Sequence, residues 1–215
     1  MKCLQLHRRI VIAFLLCLLI GCRHTIGSAA DFQQWLSQEE NGLIQQKKSN
    51  NLALTAKYLP PQYLALRDLS AFEHPSKAVY DSLLETYTHS LTFLLTISPN
   101  KTKQAAGDIM YRGIKDYLAY KERVSQLNFG IKKYIRLHTK NKTFKPVLAA
   151  FDNTYSLVEH RSVYLVFTED ELESGFLDGE ELDLVFNDEI FQTGINHFKF
   201  KREDILNIPS IKILD

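Results

Sequence analysis

Cysteine is nearly absent from this chain. Of its 215 residues three are Cys, and Cys3, Cys17 and Cys22 all stand within the first 22 positions. Residues 31–215 contain none. That excludes a cysteine nucleophile, a thiolate-held metal and a disulfide framework from this stretch. A region of this size buries enough apolar surface to fold without a covalent staple. Other signatures are missing too. There is no G-x-S-x-G elbow, no P-loop and no G-x-G-x-x-G, so nucleophilic and phosphate-transfer chemistry find no support. His24, His74, His89, His138, His160 and His197 include no pair at H-x-H or H-x-x-x-H spacing. Low-complexity tracts and internal repeats are absent, and the net charge is only +1.

Long apolar runs are also lacking. The longest, Ile10 to Ile20, has eleven residues. As a helix it reaches about 16 Å, whereas crossing a hydrocarbon core of roughly 30 Å takes about 20 residues. Preceded by Lys2, Arg8 and Arg9, the run has the length and charge of a secretory signal. It closes on Leu19-Ile20-Gly21-Cys22. This register of branched, apolar, small and Cys resembles a bacterial lipobox. The resemblance implies that the Cys22 thiol receives a diacylglycerol and that Cys22 becomes the new N-terminus. The competing reading is ordinary signal cleavage near Ser28-Ala29-Ala30. Residues 1–21 are thus expected to be a signal peptide, and residues 22–30 a short tether. Arg23 to Ala30, eight residues, extends to at most about 28 Å, which keeps a domain close to its membrane. Arg23 is not the Asp of an inner-membrane retention signal, and no acidic cluster follows. By that resemblance the expected location is the outer membrane, facing the periplasm.

Residues 31–215 read as one domain. Asp31 is a candidate N-cap for a helix carrying Phe32, Trp35 and Leu36 and stopping at Asn41-Gly42. Alternation from Leu52 to Tyr58 predicts a strand, ended by Pro60-Pro61, which open a short helix. Ser76 is placed to cap a helix with the stripe Val79, Tyr80, Leu83, Leu84 and Tyr87. Leu91 to Ile97 form a second strand. The longest helical pattern covers 103–128, with Gly130 as its stop. The period then changes to two, with candidate strands at 131–138, 144–151, 161–167, 181–187 and 196–201. In "HFKFK", Phe198 and Phe200 point inward while Lys199 and Lys201 point outward. The expected class is α+β, a largely antiparallel sheet with several helices concentrated in the N-terminal half.

Charge is distributed in two blocks. Residues 101–145 hold twelve Lys or Arg against three Asp or Glu, interleaved with Tyr111, Tyr117, Tyr120 and Tyr134. Residues 169–189 hold ten carboxylates and no base. Outside the cytosol a basic face meets lipid headgroups, acidic glycans or acidic proteins, and no nucleic-acid partner is expected. The plainer reading is a solvated face, or a loose pairing of the two blocks. Asp178, Glu180 and Asp183 could approach a hard cation, but no EF-hand register is present, and an acidic hairpin with Leu182, Leu184 and Phe186 inward is the favoured reading. Lys121 projects from the middle of the apolar stripe of the 103–128 pattern, which requires snorkelling, a helix bend or a carboxylate partner.

Two stretches, "NGLIQQKKSNNLALTAKYLPPQYLAL" (41–66) and "LDLVFNDEIFQTGINHFKFKREDILNIPSIKI" (182–213), carry a Y-x-P-x-x-Y segment and a closing F-x-F strand. In these the chain resembles small lipoproteins of the Bacteroidetes type. That group has no established activity, so the resemblance implies no catalytic or binding residue. Asp81-Ser82-Leu83 also looks like the short O-glycosylation motif of such bacteria. The expected function is a membrane-anchored envelope lipoprotein that binds or scaffolds an envelope protein or acidic glycan. It would need no catalysis, cofactor or metal, and Cys22 is its single assigned residue, for lipid attachment. The alternatives are a glycan-binding or glycan-cleaving protein using the acidic hairpin, and a small-ligand carrier with an aromatic-lined cavity.

Overall fold

A computed structural model describes residues 25–100, 107–152, 158–169 and 175–212. Among them eleven strands and five α-helices are defined. The strands are β1 (Thr25–Ile26), β2 (Ile44–Ser49), β3 (Leu52–Leu59), β4 (Ser90–Pro99), β5 (Ile135–His138), β6 (Thr143–Phe144), β7 (Leu148–Phe151), β8 (Arg161–Thr168), β9 (Glu181–Asp188), β10 (Gly194–Lys201) and β11 (Ser210–Ile211). The helices are α1 (Ala29–Trp35), α2 (Pro61–Leu69), α3 (Lys77–Thr88), α4 (Tyr117–Ser125) and α5 (Arg202–Leu206).

Two antiparallel sheets build the fold. One has the order β2-β3-β4-β8-β7 and the other β10-β9-β5-β6. The small parallel pair β1-β11 stands apart. The α+β class is therefore observed, with antiparallel pairing throughout both large sheets. Alternation drives the packing. Leu52, Leu54, Ala56 and Tyr58 of β3 are buried, as are Phe93, Leu95 and Ile97 of β4 and Val163, Leu165 and Phe167 of β8. From the second sheet, Leu182, Leu184, Phe186, Phe198 and Phe200 complete the same core. The Phe93 ring lies 5.1 Å from Phe200, 6.0 Å from Phe167 and 5.5 Å from Tyr58, centroid to centroid. The rings thus pack on one another between the sheets. Each fully buried Phe or Leu contributes about 1.5–3 kcal/mol. A satellite cluster of Ala65, Leu69 and Tyr80 joins α2 to α3.

Helix starts follow local chemistry. Pro61 occupies the first helical position of α2, where a missing N–H costs nothing. The Ser76 hydroxyl accepts from Val79 N at the start of α3. For α1 the cap is Ser28 rather than Asp31: Ser28 Oγ accepts from Asp31 N at 3.1 Å and donates to the Asp31 carboxylate at 2.7 Å. The helix stops at Trp35. A 3₁₀ turn, Glu39–Asn41, then ends on Gly42 with φ of +73°. The strand that follows, β2, was not legible as a strand, because "IQQKKS" shows no apolar alternation.

Three expectations need correction. Residues 103–106 lie outside the described residues, and over the rest the single helix of 103–128 is instead a 3₁₀ turn (Ile109–Tyr111), then α4, then a π-helical turn (Gln126–Gly130). Gly113 at φ +68° breaks the right-handed path, and Asp116 Oδ1 caps a new start by accepting from Ala119 N at 2.8 Å. Helices are accordingly not concentrated in the N-terminal half, since α4, the π turn and α5 lie beyond it. The strand candidates at 131–138 and 144–151 are also shorter. Residues Ile131–Tyr134 form a 3₁₀ turn before β5, and Pro146, which has no N–H to donate, separates β6 from β7.

Candidate functional site

The two charged blocks meet within one sheet. β5, from the basic block, pairs with β9, from the acidic block, in the register His138↔Asp183 and Arg136↔Val185. On the other flank of β9, β10 supplies bases of its own. Lys199 Nζ lies 2.6 Å from Glu181 Oε1, and His197 Nδ1 lies 2.7 Å from Asp183 Oδ2. Glu181 holds the exposed Lys199 ammonium above its ordinary pKa. Leu182, Leu184 and Phe186 point inward, so β9 is the outer-charged, inner-apolar strand its pattern implied. Glu169 is also engaged, its Oε1 accepting from Gly175 N and Phe176 N.

Much of the basic block is spent on the main chain. Arg136 Nη1 donates to the carbonyls of Lys132, Lys133 and Ile135, and Lys132 Nζ to that of Val147. Lys133 lies over the Tyr134 ring at 4.6 Å, and Tyr134 raises its pKa, by hydrogen bonding first. Lys121 is exposed and lies over the Tyr117 ring at 5.9 Å, so the shortened helix leaves it no buried position. Tyr117 and Leu118 are each 74% exposed and Phe129 85%, on the same α4–π segment.

Two polar clefts stand at opposite ends of the molecule. One, of about 560 Å³, is lined by residues that include His138, Lys140, Asp178, Glu181, Asp183 and Arg202. Here the basic and acidic blocks face each other. Asp183 Oδ1 is buried without a hydrogen-bond partner among the described residues. His138, its register neighbour, turns Nδ1 to Thr143 Oγ1 at 2.9 Å. Among the described residues no three His, Asp or Glu side chains converge as a metal site, and Asp178, Glu180 and Asp183 do not form one.

The second cleft, of about 530 Å³, was missed by sequence reasoning. It is lined by Asn50, Asn51, Arg112, Gly113, Arg123, Ile190, Phe191 and Gln192. Asn50 and Asn51 form the two-residue turn between β2 and β3, with φ of +48° and +61°. Asn tolerates this left-handed region, which suits a hairpin turn. Gln192, at φ +59°, completes the set of non-glycine residues with positive φ among the described residues. Its loop is held by Asp188, which is 2% exposed and accepts from Ile190 N, Phe191 N, Thr193 N and Thr193 Oγ1. The Asn50 side-chain amide donates to the Gln192 carbonyl, and Ser49 Oγ to the Thr193 carbonyl at 3.1 Å, so the two turns are tied. Arg112 donates to the carbonyls of Asn50 and Asn51. Arg123 Nη1 donates to those of Ile109, Met110 and Arg112, and its guanidinium lies 5.1 Å from the Phe191 ring centroid. Burial lowers the Arg123 pKa from its ordinary value, Asp188 opposes that, and Arg112 adds to it. The lining comes from four separate parts of the chain and has no compact motif to read.

Cys22 and the signal residues lie outside the described residues, as do Lys101, Lys103, Asp170, Glu171 and Glu173. Residues 25–30, read from the sequence as tether, carry β1, Ser28 and the start of α1. Ser82 of the Asp81-Ser82-Leu83 tripeptide is exposed on α3. No described helix is long and apolar enough to cross a membrane. No family model matches the chain, and no curated protein matches it. Among solved structures it is similar to a protein of unknown function from Burkholderia pseudomallei, at 11% identity and a TM-score of 0.37, over 83% of this chain and 85% of that one, a likeness too slight to carry an argument.

Proposed function

We propose that the chain is a lipid-anchored envelope protein, attached through Cys22, whose folded part binds a partner and performs no catalysis. The observation that carries this reading concerns where the signal is removed. Cleavage near Ser28-Ala29-Ala30 would delete β1 and the Ser28 cap. It would also remove Ile26, 7% exposed in the main core, and the parallel pairing Thr25↔Ser210 and Ile26↔Ile211. Processing at Gly21-Cys22 leaves all of these intact. The fold then begins three residues after the lipid, a span of at most about 11 Å.

That short link gives the molecule a near end and a far end. β11 follows α5, which follows the last residue of β10. Gly42, at the start of β2, lies against Asp204 of α5. The near end is therefore β1, β11 and α5. The cleft at Asn50 and Gln192 lies at the other ends of β2 and β10, about 26 Å away along an eight-residue strand. The far end and the exposed Tyr117, Leu118 and Phe129 are the surfaces open to an envelope partner. The outer membrane, periplasmic face, is the location proposed. The test uses globomycin, which blocks lipoprotein signal cleavage. Precursor accumulation, and loss of palmitate-analogue labelling in Cys22→Ser, are expected. A Cys22→Ser protein that still labels and still fractionates wholly with membranes would overturn the anchor.

A further inference from the structure

The far-end cleft brings two guanidinium groups together with no carboxylate in ion-pair contact among the described residues. Among the described residues Arg112 and Arg123 donate only to neutral carbonyls, those of Asn50, Asn51, Ile109, Met110 and Arg112. Neither makes an ion pair among the described residues. The carboxylate behind them, Asp188, has both oxygens occupied by donors of its own turn. Arginine does not deprotonate in a protein, so the positive charge persists. The Nε and Nη2 of Arg123 make no hydrogen bond with described residues. The side-chain amides of Asn51 and Gln192 make none either. Arg112, Arg123, Asn51 and Gln192 line one cleft, where two guanidinium charges stand in front of the single buried Asp188 charge, a net +1.

We propose that this cleft binds a phosphate group, presented either as free phosphate or as a phosphomonoester headgroup. A phosphomonoester carries about −1.5 to −2 charges near pH 7 and three acceptor oxygens, which matches two guanidiniums better than a carboxylate does. Arg supplies paired N–H donors for such a group. Burial lowers the Arg123 pKa first, Asp188 opposes it and the Arg112 charge adds to it, and a bound anion adds to the Asp188 side of that balance. The tied turns at Asn50-Asn51 and Gln192 hold the rim in place before binding. Because the cleft is at the end away from β1, a lipid source would be a membrane other than the one holding Cys22. The inference deepens the binding reading and rests on it; phosphate binding itself does not rest on the anchor, whereas the vesicle arm does.

The experiment takes the full chain in detergent and titrates inorganic phosphate at constant ionic strength, read by calorimetry. Saturable binding is expected. Gln192→Glu adds a negative charge at the rim and removes no described side-chain bond, and it should weaken binding at least tenfold. Arg112→Gln should do the same, with circular dichroism checking its fold. Lys199→Gln, on β10 away from the cleft, should bind as the wild type does. A second arm places the protein in phosphatidylcholine vesicles and adds vesicles containing phosphatidic acid. Clustering that Gln192→Glu abolishes assigns the headgroup as the source, and phosphate binding without clustering assigns free phosphate. No saturable phosphate binding would overturn the proposal. So would equal binding by Gln192→Glu, or tighter binding of acetate than of phosphate. Each of these leaves the globomycin result untouched, so the two readings fail separately.

Discussion

What a buried basic residue contributes differs from what an exposed ion pair contributes. Arg161 is 3% exposed and reaches Asp108, whose side chain is 12% exposed. Its Nη1 also donates to the carbonyls of Val158 at 2.6 Å and His160 at 2.7 Å. Asp108 works twice, because its Oδ1 accepts from Met110 N and starts the 3₁₀ turn. Removing one partner of a buried pair leaves the other charge uncompensated, at about 3–5 kcal/mol. Asp108→Ala should lower the stability of the full chain by that amount in urea titration, with an unchanged slope. The exposed pair Lys77–Asp81 obeys the other rule, since a surface pair contributes little. In the basic block the division follows main-chain bonding, since Lys132 is exposed and still holds a carbonyl. Lys132 and Arg136 hold carbonyls, so reversing them to Glu would test folding rather than recruitment, whereas exposed Lys115 and Lys121 are free of that objection.

At the scale of elements, one contact fixes how β2 meets α5. A Cβ at Gly42 would overlap Asp204 Oδ2, and Gly42 sits at φ +73°. The left-handed conformation alone costs an L-residue about 1–2 kcal/mol. Gly42→Ala should therefore destabilise by about 2 kcal/mol or more, seen as a lower urea midpoint. The strands β3, β4, β8, β9 and β10 were legible because each alternates against a core. Phe198 and Phe200 are fully buried, and Lys199 and Lys201 are exposed, as "HFKFK" implied. What was illegible has a common cause. β2 is an edge strand, half-exposed along its length, so no burial pattern marks it. The 103–128 pattern kept its apolar spacing across Gly113, and a backbone torsion, not hydrophobicity, broke the helix. The far-end cleft depends on residues about 60 to 140 positions apart meeting at two turns, and periodicity carries no such signal.

The whole molecule joins these pieces through its ends. Two sheets share one core, and the parallel β1-β11 pair closes the first described residues onto the last strand. Within one sheet, Glu181 and Asp183 of the acidic block meet Lys199 and His197 of β10. On the proposed function, partner selection is assigned to the far end, where Arg112 and Arg123 make no ion pair among the described residues. This arrangement has meaning only if the mature chain keeps β1 and is held just before it. The mass of the N-terminal peptide, taken from protein extracted from native membranes, tests that point most directly. A peptide beginning at Cys22 and carrying a diacylglyceryl group is the expected result. An unmodified peptide beginning between residues 29 and 31 would contradict the account.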